Sequence, residues 1–160
     1  MKHFLSLILL MTALISCDSN RVFEENVEIE QGIWNVNKPI HFEVQNLDTI
    51  SEYNFIINVR HATHYPFSNL WMFVTTTAPD KSVRQDTVEC FITSKDGKRL
   101  GKGLGDLWDV QTPLKSTNLD QLGIYSIDFE QAMRYGDRAS IENLPGILDL
   151  GLRIERNTNE

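Results

Sequence analysis

The sequence predicts an all-β protein built as a single antiparallel β-sandwich, and three observations carry that prediction. Apolar residues recur at every second position in four separate stretches, the pattern of strands with one buried and one solvated face. Helical patterns long enough to make parallel crossovers are missing. Prolines and an Asp-Gly pair fall between the stretches, where turns belong. Seven or more short strands in roughly 130 residues fit a sandwich, with the jelly roll among the compatible topologies.

In chain order, Ile40, Phe42 and Val44 alternate with His41, Glu43 and Gln45. Tyr53, Phe55, Ile57 and Val59 alternate with Asn54, Asn58 and Arg60, with Ile56 as the exception. Leu70 to Val74 is apolar on both faces, which places it centrally or beneath a covering loop. Val88, Cys90 and Ile92 share one strand face, and Asp96-Gly97 is a tight-turn signal between Cys90–Ser94 and Arg99–Leu100. Tyr125, Ile127 and Phe129 alternate with Ser126, Asp128 and Glu130. Leu148, Leu150, Leu152 and Ile154 alternate with Asp149, Gly151, Arg153 and Glu155. Pro39, Pro66, Pro79, Pro113 and Pro145 lie at or beyond strand ends. One segment reads as a short helix, residues 128–137, through Glu130-Gln131-Ala132-Met133-Arg134.

The beginning of the chain has a different character. Lys2 and His3 precede an apolar run from Phe4 to Ile15, the order of an export signal and too short for a bilayer span of roughly 20 residues. The run ends in Leu14-Ile15-Ser16-Cys17, which resembles the lipobox of bacterial lipoproteins. That resemblance implies a diacylglycerol thioether on Cys17, cleavage before it, and acylation of the new amino group. Two or three acyl chains, at about 0.8 kcal/mol per buried CH2, hold a protein on a membrane. A soluble exported protein with Cys17 as a bystander is the competing reading. The expected division is residues 1–16 as signal peptide, 17–26 as lipidated cysteine and polar tether, and 27–160 as the sandwich domain.

Composition narrows the chemistry. Loss of the signal with its single Lys2 takes the net charge from −7 to −8, so an acidic body is repelled by nucleic acid and anionic headgroups. With Cys17 consumed by lipid, Cys90 has no intrachain partner and reads as a small buried apolar residue. His61 and His64 stand three apart, on opposite strand faces, and lack a recognisable third ligand for zinc. Asp80, Asp86, Asp96, Asp106 and Asp109 fall around turns without calcium-loop spacing. No G-x-S-x-G or recognisable triad context is present. Catalytic residues, metal, cofactor and small-molecule substrate are therefore not expected. Gly101, Gly103 and Gly105 match neither a P-loop nor a dinucleotide fingerprint; at alternate positions they leave a bare stripe against which a backbone or a ring can lie. Trp71 reads as core, and Trp108, just past the glycines, as core or exposed contact.

Taken in order, Leu14–Cys17, Tyr53–Arg60, Tyr65–Trp71, Asp86–Glu89, Gly101–Asp106, Gly123–Ser126, Gln131–Arg134 and Ile147–Glu155 resemble the GldH family of gliding-motility lipoproteins of the Bacteroidetes. The resemblance implies an envelope lipoprotein needed for gliding and bound up with the type IX secretion machinery. It implies no catalytic activity, and only the lipid-bearing cysteine maps residue to residue, onto Cys17. The expected role is a lipid-anchored, non-catalytic accessory or structural subunit working through contacts with other gliding or secretion envelope proteins. Arg60, Tyr65, Asn69 and Trp71, with Gly101, Gly103, Gly105 and Trp108, are the expected contact residues, because aromatic and arginine anchors dominate interface energetics. The rival is an envelope carbohydrate-binding module with aromatics as stacking platforms. Asp18, after the cysteine, is an inner-membrane retention signal in some bacteria; the expectation here favours the outer membrane, facing the periplasm.

Overall fold

The computed structural model describes residues 20–114 and 117–157. Cys17, the signal segment and Asp18 lie outside the described residues. The strands are β1 (Arg21–Glu28), β2 (Ile33–Asn35), β3 (Ile40–Asn46), β4 (Glu52–Ala62), β5 (Asn69–Thr77), β6 (Val83–Phe91), β7 (Lys102–Leu104), β8 (Leu107–Pro113), β9 (Thr117–Asn118), β10 (Gly123–Gln131), β11 (Asn143–Pro145) and β12 (Ile147–Arg156). One sheet runs β1-β12-β4-β8-β7, with β9 also pairing β4; the other runs β3-β10-β5-β6; β11 and β2 form a small ribbon. Every pairing of named strands is antiparallel. The two sheets pack as a sandwich, as the alternation predicts.

The inner faces are the alternating apolar sets. Ile57, Leu150, Leu152 and Ile154 of the larger sheet, and Phe129, Leu70 and Met72 of the smaller, are all fully buried. Each such side chain contributes about 1.5–3 kcal/mol relative to exposure. Phe42 and Phe129 meet edge to face at 5.6 Å, and Phe23 meets Phe42 at 6.4 Å, joining β1 to the opposite sheet. Leu70–Val74 lies in β5 between β10 and β6, central as expected, with Leu70, Met72 and Val74 buried on the inner face and Trp71 exposed on the outer one. The Asp96-Gly97 turn forms as expected: Gly97 N–H donates to Ser94 O at 2.9 Å with φ +75°.

Three expectations are corrected. Residues 128–137 form no helix: Asp128–Gln131 completes β10, paired with β3 on one side and β5 on the other. Two flanking ladders outweigh the helix propensity of Glu-Gln-Ala-Met-Arg, and buried Gln131 then holds the following loop through Ile141 O and Met133 N. The tether is shorter than expected, because Arg21–Asn26 lies in β1, in register from Arg21 opposite Glu155 to Glu28 opposite Asp149. Phe23 and Val27 pack on the core, and the remaining polar residues suit an edge strand. In β12 a register irregularity between Ile147 and Asp149 puts Ile147 fully inside and leaves Leu148 half-buried against Gly32.

Strand directions define two ends. Asn46, Glu52, Thr77, Val83, Gly123 and Arg156 mark one end; Arg21 starts there too, with Arg156 N–H donating to Asn20 O at 2.8 Å. This is the entry end. Ala62, Asn69, Phe91, Leu104 and Leu107 mark the far end. Eleven-residue β4 runs between them, a separation of about 34 Å.

Candidate functional site

All eight expected contact residues lie toward the far end, where β4 finishes, β5 begins and β7 turns into β8. They do not share one face. Arg60 projects from the outer face of the larger sheet, because its neighbours Val59 and His61 point into the core. Its partner in register is Asp109, and the guanidinium Nε donates to Asp109 Oδ1 at 2.7 Å with Nη2 at 3.4 Å from Oδ2. Glu28, Asp149, Arg60, Asp109 and Lys102 make one lateral row across five strands. Partial burial is the main cause holding the Asp149 carboxyl above its ordinary range; Arg60 opposes this, and Asp109 and Glu28 add to it. In the next row Asn26, Gly151, Asn58 and Gln111 stand abreast, with Gln111 Nε2 donating to Asn58 Oδ1 at 3.0 Å.

The glycine run serves three separate purposes. Gly101 has φ +82°, and a Cβ there would stand 2.0 Å from the Asp109 carbonyl oxygen. Gly103 lies in β7 opposite Trp108, and a Cβ there would stand 2.4 Å from two atoms of the indole. Gly105 has φ +61° with open space around it, making the two-residue turn with Asp106. Trp108 is consequently seated on Gly103, half-buried, with the Arg99 guanidinium 5.8 Å from the ring centroid. Its register partner is His61, 1% exposed. Burial, the leading cause, pushes the His61 pKa down, with Arg99 adding to it. His61 Nδ1 is 2.9 Å from Ala62 O, and among the described residues neither His61 Nε2 nor Trp108 Nε1 has a partner.

Tyr65 is buried: its hydroxyl donates to Asn69 O at 2.9 Å and its ring lies 6.0 Å from His61 and 5.7 Å from Phe67. It supports the far end from beneath and offers no exposed ring. Asn69 and Trp71 point outward from the smaller sheet; Asn69 Nδ2 donates to Glu89 Oε1 at 2.6 Å, and Trp71 is 38% exposed. Trp71 is therefore a surface residue, and its expected core role falls to Leu70 and Met72 on the opposite face.

Sequence reasoning missed the most exposed apolar residues of this end. Leu104 is 88% exposed and Leu107, directly opposite across the β7–β8 turn, is 48% exposed, on the same outer face as Arg60 and Asp109. Thr63 N–H fixes that turn by donating to Asp106 O at 2.9 Å, and Arg99 donates to Thr63 O at 3.1 Å. Tyr135, 70% exposed, sits edge-on to Phe67 at 6.3 Å, and Phe91 is 56% exposed beside Asn69 in register. The available signal was Leu104 between two glycines, a large apolar residue at a turn with nothing local to cover it.

What this arrangement offers is surface: a polar sheet face edged by an apolar turn, and a second face with Trp71 and Phe91. That defines an antiparallel β-sandwich with exposed apolar residues at one end. The chain belongs to the GldH lipoprotein family, whose family model matches residues 21–154. It is 36% identical over 146 residues to a protein of Christiangramia forsetii named gliding motility lipoprotein GldH homolog, covering 90% of this chain and 89% of that one. It is 33% identical over 152 residues to the gliding motility lipoprotein GldH of Flavobacterium johnsoniae, covering 93% and 94%.

Proposed function

We propose that this chain is a gliding-motility lipoprotein, anchored through lipid on Cys17 and acting as a non-catalytic accessory subunit of a type IX secretion-linked envelope machine. Its work is protein–protein contact made at the far end of the sandwich. The names of the two relatives support the gliding role, and the family supports the anchor. The observation that carries the contact reading is the turn bearing Leu104 and Leu107 beside Arg60, large apolar side chains held outward on a fixed hairpin. Exposed apolar side chains grouped at a turn and rimmed by polar ones are the kind of surface a partner covers. The anchor confines the domain to a thin layer and so raises its effective concentration near partners. The outer membrane, with the domain facing the periplasm, is the location we propose.

A sugar platform is less favoured, because two of the three tryptophans are withdrawn, Trp34 at 2% exposure and Trp108 with its ring on Gly103, which leaves Trp71 as the one tryptophan on the surface. The test is Leu104→Glu with Leu107→Glu in the native host. Loss of colony spreading with unchanged protein level and thermal stability supports the reading. Normal spreading by this folded variant, and by Trp71→Ala, would sink it.

A further inference from the structure

The entry end of the sandwich carries its own exposed apolar residues, which the contact reading of the far end does not use. Leu47 is 81% exposed and Ile50 89% exposed, both in the β3–β4 loop. Leu122, 64% exposed, precedes β10, and Val83, 65% exposed, opens β6. The strand register places all four at one end, since Asn46 pairs with Gly123 and Thr77 with Val83. The loop is held in this form: Ile50 N–H donates to Asp48 Oδ1 at 2.9 Å, and the Tyr53 hydroxyl donates to Asp48 O at 3.1 Å. Asn46 Nδ2 donates to Leu119 O at 2.9 Å and to Gln121 O at 2.7 Å, tying the loop before β10 to the same base. Grouped at one end on pinned loops, these four side chains together, rather than any one of them, call for an apolar surface to cover them.

The covalent chain says what that is. Arg21 begins β1 at this same end. Three peptide units separate Cys17 from Asn20, a reach of at most about 11 Å. A lipid on Cys17 therefore keeps Asn20, and with it the start of β1, within about that distance of the bilayer surface, so the entry end is the part of the sandwich held next to the membrane. Charge there is mixed, with Asp48, Glu52, Asp80 and Asp120 against Arg21, Lys81 and Arg156, so a neutral bilayer suits it better than an anionic one.

We infer that Leu47, Ile50, Val83 and Leu122 form a membrane-seating surface, their side chains entering the interfacial region of the bilayer that holds the lipid on Cys17. The seat fixes the orientation of the sandwich and points Leu104 and Leu107 away from the membrane. This rests on the anchor reading, and the test separates the two.

The protein as purified from membranes of its native host is reconstituted in vesicles of phosphatidylcholine and phosphatidylethanolamine, with an environment-sensitive fluorophore on Ile50→Cys or, separately, Leu104→Cys. Buried Cys90 does not compete for the label. The expected result is a blue shift at position 50 with quenching by doxyl-labelled lipids, and water-like emission at position 104. Water-like emission at both positions, with the protein still floating with vesicles, overturns the seat and leaves the anchor. Failure of the unlabelled protein to float overturns the anchor and the seat with it. Leu47→Asp with Ile50→Asp should keep flotation and thermal stability yet bring a probe at Leu122→Cys back to water-like emission; an unchanged blue shift there also counts against the seat.

Discussion

Gly103→Ala tests whether Trp108 is positioned by the absence of a side chain. The added Cβ would stand 2.4 Å from Cδ2 and Cε2 of the indole and 2.9 Å from Cε3. Carbon contacts settle near 3.5–4.0 Å, so the ring has to retreat by roughly 1 Å. A planar ring under Arg99 cannot yield like the end of a flexible chain, and the cost is that of overpacking, about 1–3 kcal/mol. Gly103 has no left-handed φ, so alanine also gains about 0.4–1 kcal/mol by restricting the unfolded chain. The net loss is about 1–2 kcal/mol, which for a domain of this size lowers Tm by roughly 2–8 °C. The assay is thermal unfolding by circular dichroism in wild-type and Trp108→Ala backgrounds. With the indole gone the clash is gone, and Gly103→Ala should become neutral or stabilising. Equal destabilisation in both backgrounds would refute the seating argument and assign the effect to the backbone.

The neighbouring glycines should rank by cause. Gly101→Ala meets the Asp109 carbonyl at 2.0 Å and a φ of +82°, so it should destabilise more than Gly103→Ala, whereas Gly105→Asn, with open space and a tolerated φ of +61°, should change Tm little. His41 should make stability pH-dependent: its hydrogen bond to Asp128, at 2.7 Å, is the main cause raising its pKa above 6.5. A raised folded pKa means stability present below about pH 6.5 and lost as pH rises through the folded value, so Asp128→Asn should lower Tm most near about pH 6 and least above about pH 8. A difference that grows with pH would contradict that sign. Burial pushes the Cys90 thiol up to about 11, so iodoacetamide at pH 8 should leave the folded protein unmodified and react only after unfolding in urea.

Strands were legible in the sequence wherever one face was apolar and the other polar, because a period of two matches the alternation of side chains across a sheet and no helical face. Tyr53–Val59, Tyr125–Phe129 and Leu150–Ile154 were readable on that ground. β1 was hidden because an edge strand needs only Phe23 and Val27 to face inward, and its composition otherwise resembles a tether. Residues 128–137 misled because local propensity carries no information about the two ladders that flank β10. Within the site, a ring or backbone close to the glycine stripe was foreseeable; which ring was not, since register alone pairs Gly103 with Trp108 and Arg60 with Asp109. Leu104 left a trace, a leucine between two turn glycines, whereas Ile50 was illegible for a related reason. Exposure of a single apolar residue depends on whether a distant loop covers it, and local pattern is silent on that.

In-cell photocrosslinking in the native host, with a probe at Leu104 or Tyr135 in wild-type and Cys17→Ala chains, bears most closely on a lipid-anchored domain that works by contact at its far end. Such a domain should give discrete adducts with gliding or secretion components from these positions, and lose them when the lipid is removed. Adducts of equal strength without Cys17, or none from either position in a strain that still glides, would contradict it.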